Sequence, residues 1–441
     1  NYRVKKKKDG TYMSGCPLSV DLDDLKEKCH EEQYVVCIFE QEDEEAGGSK
    51  SKKKGKKKRV LTEISTPGTN ISFNDMYNRD KRTNNIMIIW LNFCHATTKK
   101  IPMLTCGLSN IDVVSGDCNI HEYSVKPYKY GQMHNYDDIE TFYSIYNPSE
   151  VIFVHNFEEE RLKEIEEIKK CCTISCMTRC YNVNENEKCK KLNKDKKHAY
   201  KYMILKKFYN ITDYYNFLDI YELDECTMAL NSLVFNLDVI STYNSKLITT
   251  IKPPIFKNVN KYIKLRNSVL KQLNIINGSN KNHYNRNFNS LINLINKCKT
   301  PMGKRKLNNS LLMPVKDTHF LKKEYDIIQH FIDNYEKYDS LLPHFKDIKD
   351  IDFICRKFNG ERFCPYDLFL LYSTVLESQC VYDKISDDKI IEEYLGDNKH
   401  LLNVNDDLES TIKLLEKYVK FDVIANVSDS DIYSINFFKE T

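Results

Sequence analysis

Three sets of residues have types and spacings that could do chemistry. The first is a thiol cluster, Cys171, Cys172, Cys176, Cys180 and Cys189, with His198 beyond it. Zinc takes four N or S ligands in a tetrahedron. Cys172-x3-Cys176-x3-Cys180 would put three thiols on one face if that stretch were helical, and Cys189 could close the set. Against this, small soft thiols pack well in interiors, and the stronger expectation is no metal. The second set is acidic. Asp112 lies near the end of one expected strand and Glu150 precedes another, as in sheets that gather carboxylates around Mg²⁺ for nuclease chemistry. Two scattered acids fall short of a two-metal cluster, so they are expected to be solvated strand-end residues, with no catalytic residue assigned. The third set is basic: Lys50, Lys52, Lys53, Lys54, Lys56, Lys57, Lys58 and Arg59 follow an acidic block, Glu42 to Glu45, and a Gly47-Gly48 pair. Such a run could neutralise DNA phosphates and release counterions, or be a solvated loop. No aromatic residue is interleaved in it to stack on bases.

The elements that must position these residues fall into three stretches. Residues 1–62 read as a small partial α/β domain. A helix over residues 19–32 carries Leu22, Leu25 and Cys29, and the apolar run Val35, Val36, Cys37, Ile38, Phe39 is expected to be a strand buried on both faces. Residues 72–200 read as a second α/β unit, with strands over 85–94, 103–114, 118–123 and 151–155 and helices over 136–146 and 158–170. Three consecutive strands followed by helix, strand and helix suit a ribonuclease-H-like sheet. From about residue 205 to 441 the periodicity is helical. Phe288, Leu291, Ile292, Ile295 and Cys298 share a face, as do Leu321, Tyr325, Ile328, Ile332 and Tyr335, and a seam runs through Leu401, Val404, Leu408, Ile412, Leu415 and Val419. The fold class expected is therefore α+β and multidomain.

Composition sets the bounds. A chain of 441 residues with 41% hydrophobic content can bury two or three cores. The net charge of +3 does not by itself demand a polyanionic partner. Sixteen cysteines without an apparent secretory leader favour a reducing intracellular compartment, nuclear or cytoplasmic, over secretion. No 18-residue apolar stretch occurs, so no membrane-spanning helix is expected.

The most specific wording is in residues 297–317, KCKTPMGKRKLNNSLLMPVKD. Thr300 suits a helix cap and Pro301 the first helical position; Pro314 ends the run. Leu307 and Leu311 share a face expected to pack inward, while Lys304, Arg305 and Lys306 add positive charge. The order T-P-M-G-x-R-x-L, then L-x-M-P-x-x-D, resembles the core domain of the MutS family of DNA mismatch-repair proteins, through Thr300, Pro301, Met302, Gly303, Arg305, Leu307, Leu311 and Pro314. Further segments resemble the same family in the same order. Met13 to Pro17 and YVVCIFEQ (34–41) are similar to the end of its mismatch-reading domain, and RVLTEISTPGT (59–69) to the segment leaving it, with Pro67-Gly68 suited to a turn. LSNIDVVSG (108–116) and NPSEVIFV (147–154) are similar to strands of its connector domain, and VLKQLNII (269–276) to the core segment before the TPMG helix.

The resemblance covers roughly residues 11–380. It implies a partial mismatch-reading domain over 1–62, a connector over 72–200, and a helical core with the start of a lever over 205–441. It also implies DNA as ligand, mismatched or branched, a MutS-type homo- or heterodimer partner and, further off, a MutL-like protein. Two features of the family pattern are missing: the Phe-x-Glu wedge that reads mispaired bases, and a G-x-x-x-x-G-K-[ST] phosphate loop. The expectation is a fragment of a longer protein, without cofactor or turnover of its own, ATP and Mg²⁺ belonging to the family's ATPase domain. A MutS homologue of the meiotic, branched-DNA type and a ribonuclease-H-like nuclease are the alternatives.

Overall fold

The computed structural model describes residues 3–6, 12–15, 22–41, 59–70, 84–96, 101–130, 132–193, 198–223, 226–243, 251–256, 262–263, 265, 267–275, 290–359, 365–396 and 404–424. At the N-terminus β1 (Arg3–Lys6) and β2 (Tyr12–Gly15) form an antiparallel pair. After helix α1 (Leu22–Glu31), β3 (Val36–Gln41) pairs antiparallel with β4 (Arg59–Ser65), the two making a separate ribbon. This corrects the expectation of a doubly buried strand. Tyr34, Val35 and Phe39 are exposed, because a two-stranded ribbon offers no second layer to cover both faces. Lys26 of α1 is tied to Glu63 of β4 at 2.8 Å, fixing helix to ribbon.

A six-stranded sheet follows, in the order β10-β7-β6-β5-β8-β9. Strands β5 (Asn85–Ala96), β6 (Ile101–Asp112) and β7 (Cys118–Val125) form an antiparallel meander. Helix α2 (Asp137–Tyr146) then leads to β8 (Glu150–His155), parallel to β5, and α3 (Lys163–Cys171) leads to β9 (Met177–Asn182), parallel to β8. Both faces of β5 are covered, which is why its sequence is continuously apolar. Met87, Ile89 and Leu91 pack with Phe142, Ile165 and Ile168, whereas Ile86, Ile88 and Trp90 pack on the opposite side.

That opposite side is closed by α4 (Glu187–Asn193), α5 (His198–Phe208), α6 (Tyr214–Ile220) and α7 (Thr227–Tyr243). Leu230, Leu233, Val234 and Leu237 of α7 join the Trp90 layer. Helix α7 comes so close to β6 that a Cβ on Gly107 would lie 2.1 Å from the Met228 carbonyl. The Glu122 carboxylate of β7 accepts the backbone N–H groups of Met228 (2.9 Å) and Ala229 (2.8 Å), two donors that the first turn of a helix leaves without intrahelical partners.

After the short edge strand β10 (Ile255–Phe256) the chain is mostly helical. The elements are α8 (Asn267–Gln272), α9 (Leu291–Ile295), α10 (Pro301–Leu312), α11 (Thr318–Asp333), α12 (Tyr335–Tyr338), α13 (Leu342–Asp347), α14 (Ile351–Asn359), α15 (Pro365–Ile385), α16 (Lys389–Gly396), α17 (Val404–Tyr418) and α18 (Phe421–Ile424). Ile327, Tyr338, Leu341 and Ile391 make one small core, and Leu368, Val419 and Ile424 another. Of the expected line, Leu321 is half-buried, Tyr325, Ile328 and Ile332 of α11 and Tyr335 of α12 are exposed, and Ile327 on another face of α11 is buried. Periodicity identified an apolar line but not the element that covers it. Among the described residues, no helix is long and apolar enough to cross a membrane.

Candidate functional site

At one end of the sheet the segments singled out in the sequence meet. The start of β5 sets the geometry: Asn85 lies opposite Asp112 of β6, and the next residue, Ile86, lies opposite Glu150 of β8. The two acids therefore flank one strand end. Neither is solvated, which corrects the expectation for both. Asp112 accepts the backbone N–H groups of Asn84 (3.0 Å) and Val114 (2.9 Å) and the Ser115 hydroxyl (2.9 Å), holding the β6–β7 turn. Burial outweighs these bonds and pushes its carboxyl above the usual range. Glu150 is fully buried, accepts the Thr66 hydroxyl at 2.6 Å and the Gly68 N–H at 3.3 Å, and is ion-paired with Arg179 of β9.

The TPGT segment thus docks on the acid of the NPSEVIFV segment. Thr69 N donates to the Thr66 carbonyl at 3.1 Å, so Pro67 and Gly68 are the central residues of a turn, as their types suggested. Gly68 supplies space there. A Cβ on it would lie 2.6 Å from Ile86 Cγ1 and 2.8 Å from Glu150 Cβ.

From the same end an ionic chain runs to the TPMG helix. Asp117, in the turn after β6, pairs with Lys252 (3.0 Å); Lys252 also pairs with Asp352 (2.9 Å). Asp352 pairs with Arg305 of α10 at 3.0 Å, and Arg305 makes a second, two-pronged contact with Asp350. Burial opposes the charged forms of Asp117, Lys252 and Arg305, but their partners win. The Asp117 carboxyl is held below its usual range by Ser115 and Lys252, and both cations titrate above theirs.

Helix α10 has the ends its sequence implied. Thr300 Oγ1 accepts the Gly303 N–H at 3.1 Å, Pro301 occupies the first turn, and the helix ends at Leu312, two residues before Pro314. Met302 and Gly303 are half-buried in the first turn. The Pro314 carbonyl accepts Ile263 N–H at 2.8 Å. Two expectations change. Leu307 and Leu311 are half-buried rather than core residues, and Arg305 is turned into the Asp350–Asp352 pair instead of standing with exposed Lys306 as surface charge. Sequence reasoning did not pick out Lys252, Asp117, Asp350, Asp352 or Arg179. Their only signal was opposite charge at long separations, which no local pattern pairs.

The remaining candidates do not assemble. The stretch from Cys172 to Cys180 is not helical: α3 ends at Cys171, and Cys180 lies in β9. Cys172 packs on the Phe142 side of the sheet and Cys189 on the Trp90 side, so the sheet separates them. His198 begins α5, and among the described residues no three His, Cys, Asp or Glu side chains gather as a metal site. Lys50, Lys52, Lys53, Lys54, Lys56, Lys57 and Lys58 lie outside the described residues; Arg59 opens β4.

Comparison with known proteins bears on the helical part first. The family model for MutS domain III matches residues 268–434. Over 357 residues, 77% of this chain, it is 25% identical to a mutS homologue of Acanthamoeba polyphaga mimivirus named as a DNA mismatch repair protein. It is 24% identical over 375 residues, 85% of the chain, to the DNA mismatch repair protein MutS of Caldanaerobacter subterraneus subsp. tengcongensis. A stretch of 96 residues is 38% identical to the DNA mismatch repair protein MSH2 of Zea mays. The chain spans 31% and 38% of the first two relatives, about a third of their length.

Proposed function

We propose that the chain is a member of the MutS family of DNA mismatch-repair proteins and, on that premise, a DNA-binding scaffold that carries part of the family's mismatch-reading domain and joins it to the helical core. The observation that carries this reading is the continuous polar junction, from Thr66 and Glu150 to Arg305, between segments that separately resemble the family. In this reading residues 1–62 are part of the mismatch-reading domain, 72–200 the connector, and 205–441 the core and start of a lever. The chain order β7-β6-β5-β8-β9, three-two-one-four-five within the sheet, supports a ribonuclease-H-like connector.

The ligand proposed is duplex DNA, mismatched or branched, held through phosphates by the basic segment from Lys50 to Arg59. A second MutS-type subunit and a MutL-like protein are the proposed protein partners, in an intracellular reducing compartment. The chain contains no phosphate loop, so nucleotide binding is assigned to the family's ATPase domain and not to these residues.

Salt-dependent duplex binding tests the reading. Affinity should fall steeply with salt, and replacing Lys52, Lys53, Lys54, Lys56, Lys57 and Lys58 by Gln should flatten that slope. An unchanged slope removes this segment from the DNA contact. Homoduplex, mismatched and four-way substrates run side by side separate mismatch from branched-DNA binding, and Mg²⁺-dependent cleavage of a labelled duplex would replace the scaffold reading with a nuclease.

A further inference from the structure

The crossing from the ribbon to the sheet, residues 65–70, is short and polar, a composition that ordinarily marks a solvated linker. Yet Ser65, Thr66 and Thr69 have no exposed surface. Burying such a segment is tolerable only if its backbone groups find partners. They do. Thr66 N–H donates to Thr69 Oγ1 (2.9 Å), Asn70 N–H to the Thr66 carbonyl (3.0 Å), and Asn84 Nδ2 to the Pro67 (2.9 Å) and Asn70 (2.8 Å) carbonyls. The ribbon side is bound to the same crossing, since His30 Nε2 lies 3.0 Å from Ser65 Oγ and Lys26 holds Glu63.

All of this is seated on Glu150, which receives Thr66 and Gly68 while Arg179 balances its charge. The β8 backbone pairs with β5 and β9 through ladder bonds that involve no side chain, so the sheet has its own support. We propose that Glu150 is a positioning residue: its carboxylate clamps the 65–70 crossing to the sheet and fixes the attitude at which the N-terminal unit meets DNA. The DNA half of this inference rests on the function proposed above; the clamp itself does not.

Hydrogen exchange on the full chain, read by mass spectrometry for Glu150→Ala, Glu150→Gln and Thr66→Val, tests it. Exchange in the peptide covering 65–70 should rise about tenfold or more in Glu150→Ala and less in Glu150→Gln, which keeps an acceptor; charge-assisted bonds are the stronger kind. Peptides from β5 and β8 should keep their protection. If Glu150→Ala fails to fold, Glu150→Gln carries the test through its smaller rise, because Thr66→Val removes the Thr66–Thr69 bonds of the turn together with the bond to Glu150. Unchanged exchange at 65–70, or an equal rise in β5 and β8, overturns the clamp. Duplex titrations of Thr66→Val should show weaker binding with the salt slope of the parent, since positioning alters geometry and not the number of phosphates neutralised. A parent chain that binds no duplex sinks the proposed function, while the exchange data still decide the clamp.

Discussion

Arg305→Ala is the most demanding prediction. The guanidinium is 14% exposed and grips Asp350, 11% exposed, with two nitrogens while one of them also reaches Asp352, 30% exposed. Removing the cation strands the Asp350 carboxylate in a site built for a partner. Breaking a fully buried pair costs about 3–5 kcal/mol. Water reaches Asp352 and part of the guanidinium here, so the expected loss is about 2–4 kcal/mol. Arg305→Lys should recover only part of it, because an ammonium cannot reproduce the planar fork. The assay is denaturant unfolding followed at two wavelengths. Far-UV circular dichroism reports the helices, and Trp90, the single tryptophan and fully buried, reports the sheet. The helical transition should shift in Arg305→Ala, and a cycle with Asp350→Ala should give a coupling of about 1.5–3 kcal/mol. Leu311→Ala is the control: a half-buried leucine should cost about 1–2 kcal/mol. The reasoning fails if Arg305→Ala costs less than Leu311→Ala, or if the coupling is zero.

Other consequences follow from single contacts. Gly107→Ala should cost about 3 kcal/mol or more, because its Cβ would meet the Met228 backbone, which cannot rotate away; a Trp90 emission maximum and unfolding midpoint equal to the parent's would contradict this. Glu164 is fully buried, accepts Tyr128 OH at 2.5 Å, and burial raises its carboxyl above the usual range. The folded state therefore binds this proton more tightly, and the contribution is complete below the unfolded pKa of about 4.5 and lost as pH rises through the folded value. Relative to Glu164→Gln, the parent should lose stability on going from acid toward neutral pH, and parallel curves for the two would refute the assignment. Nucleotide titration of the chain should give no saturable signal, because no backbone cradle for phosphates is present in the sequence; stoichiometric micromolar binding would show that the domain content has been misread.

The sequence by itself determined the features whose causes lie within a turn or two of chain. Thr300, Pro301 and Pro314 marked both ends of α10, because capping is a contact between near neighbours. Pro67-Gly68 marked its turn for the same reason. The apolar run from Ile86 to Leu91 marked a strand, but that both its faces are covered was not legible, since the similar run from Val35 to Phe39 is left partly exposed. Three segments of the junction, 59–69, 147–154 and 297–317, were visible as wording, whereas those carrying Arg179, Lys252, Asp350 and Asp352 were not.

That they form one junction was decided only by tertiary structure. Glu150 looked like a strand-end acid until the sheet brought Thr66, Gly68 and Arg179 to it from separations of 84, 82 and 29 residues. Arg305 looked like one of three surface cations until Asp350, just before α14, and Asp352, in its first turn, were placed against it. The apolar lines of β3 and α11 were legible, but whether anything covers them was not: Phe39 of β3 and Tyr325, Ile328 and Ile332 of α11 stand exposed. Periodicity records which faces of an element are apolar, and side-chain type records which charges need a partner. Neither encodes which distant element supplies it; that is fixed only when the sheet closes and brings its strand ends together.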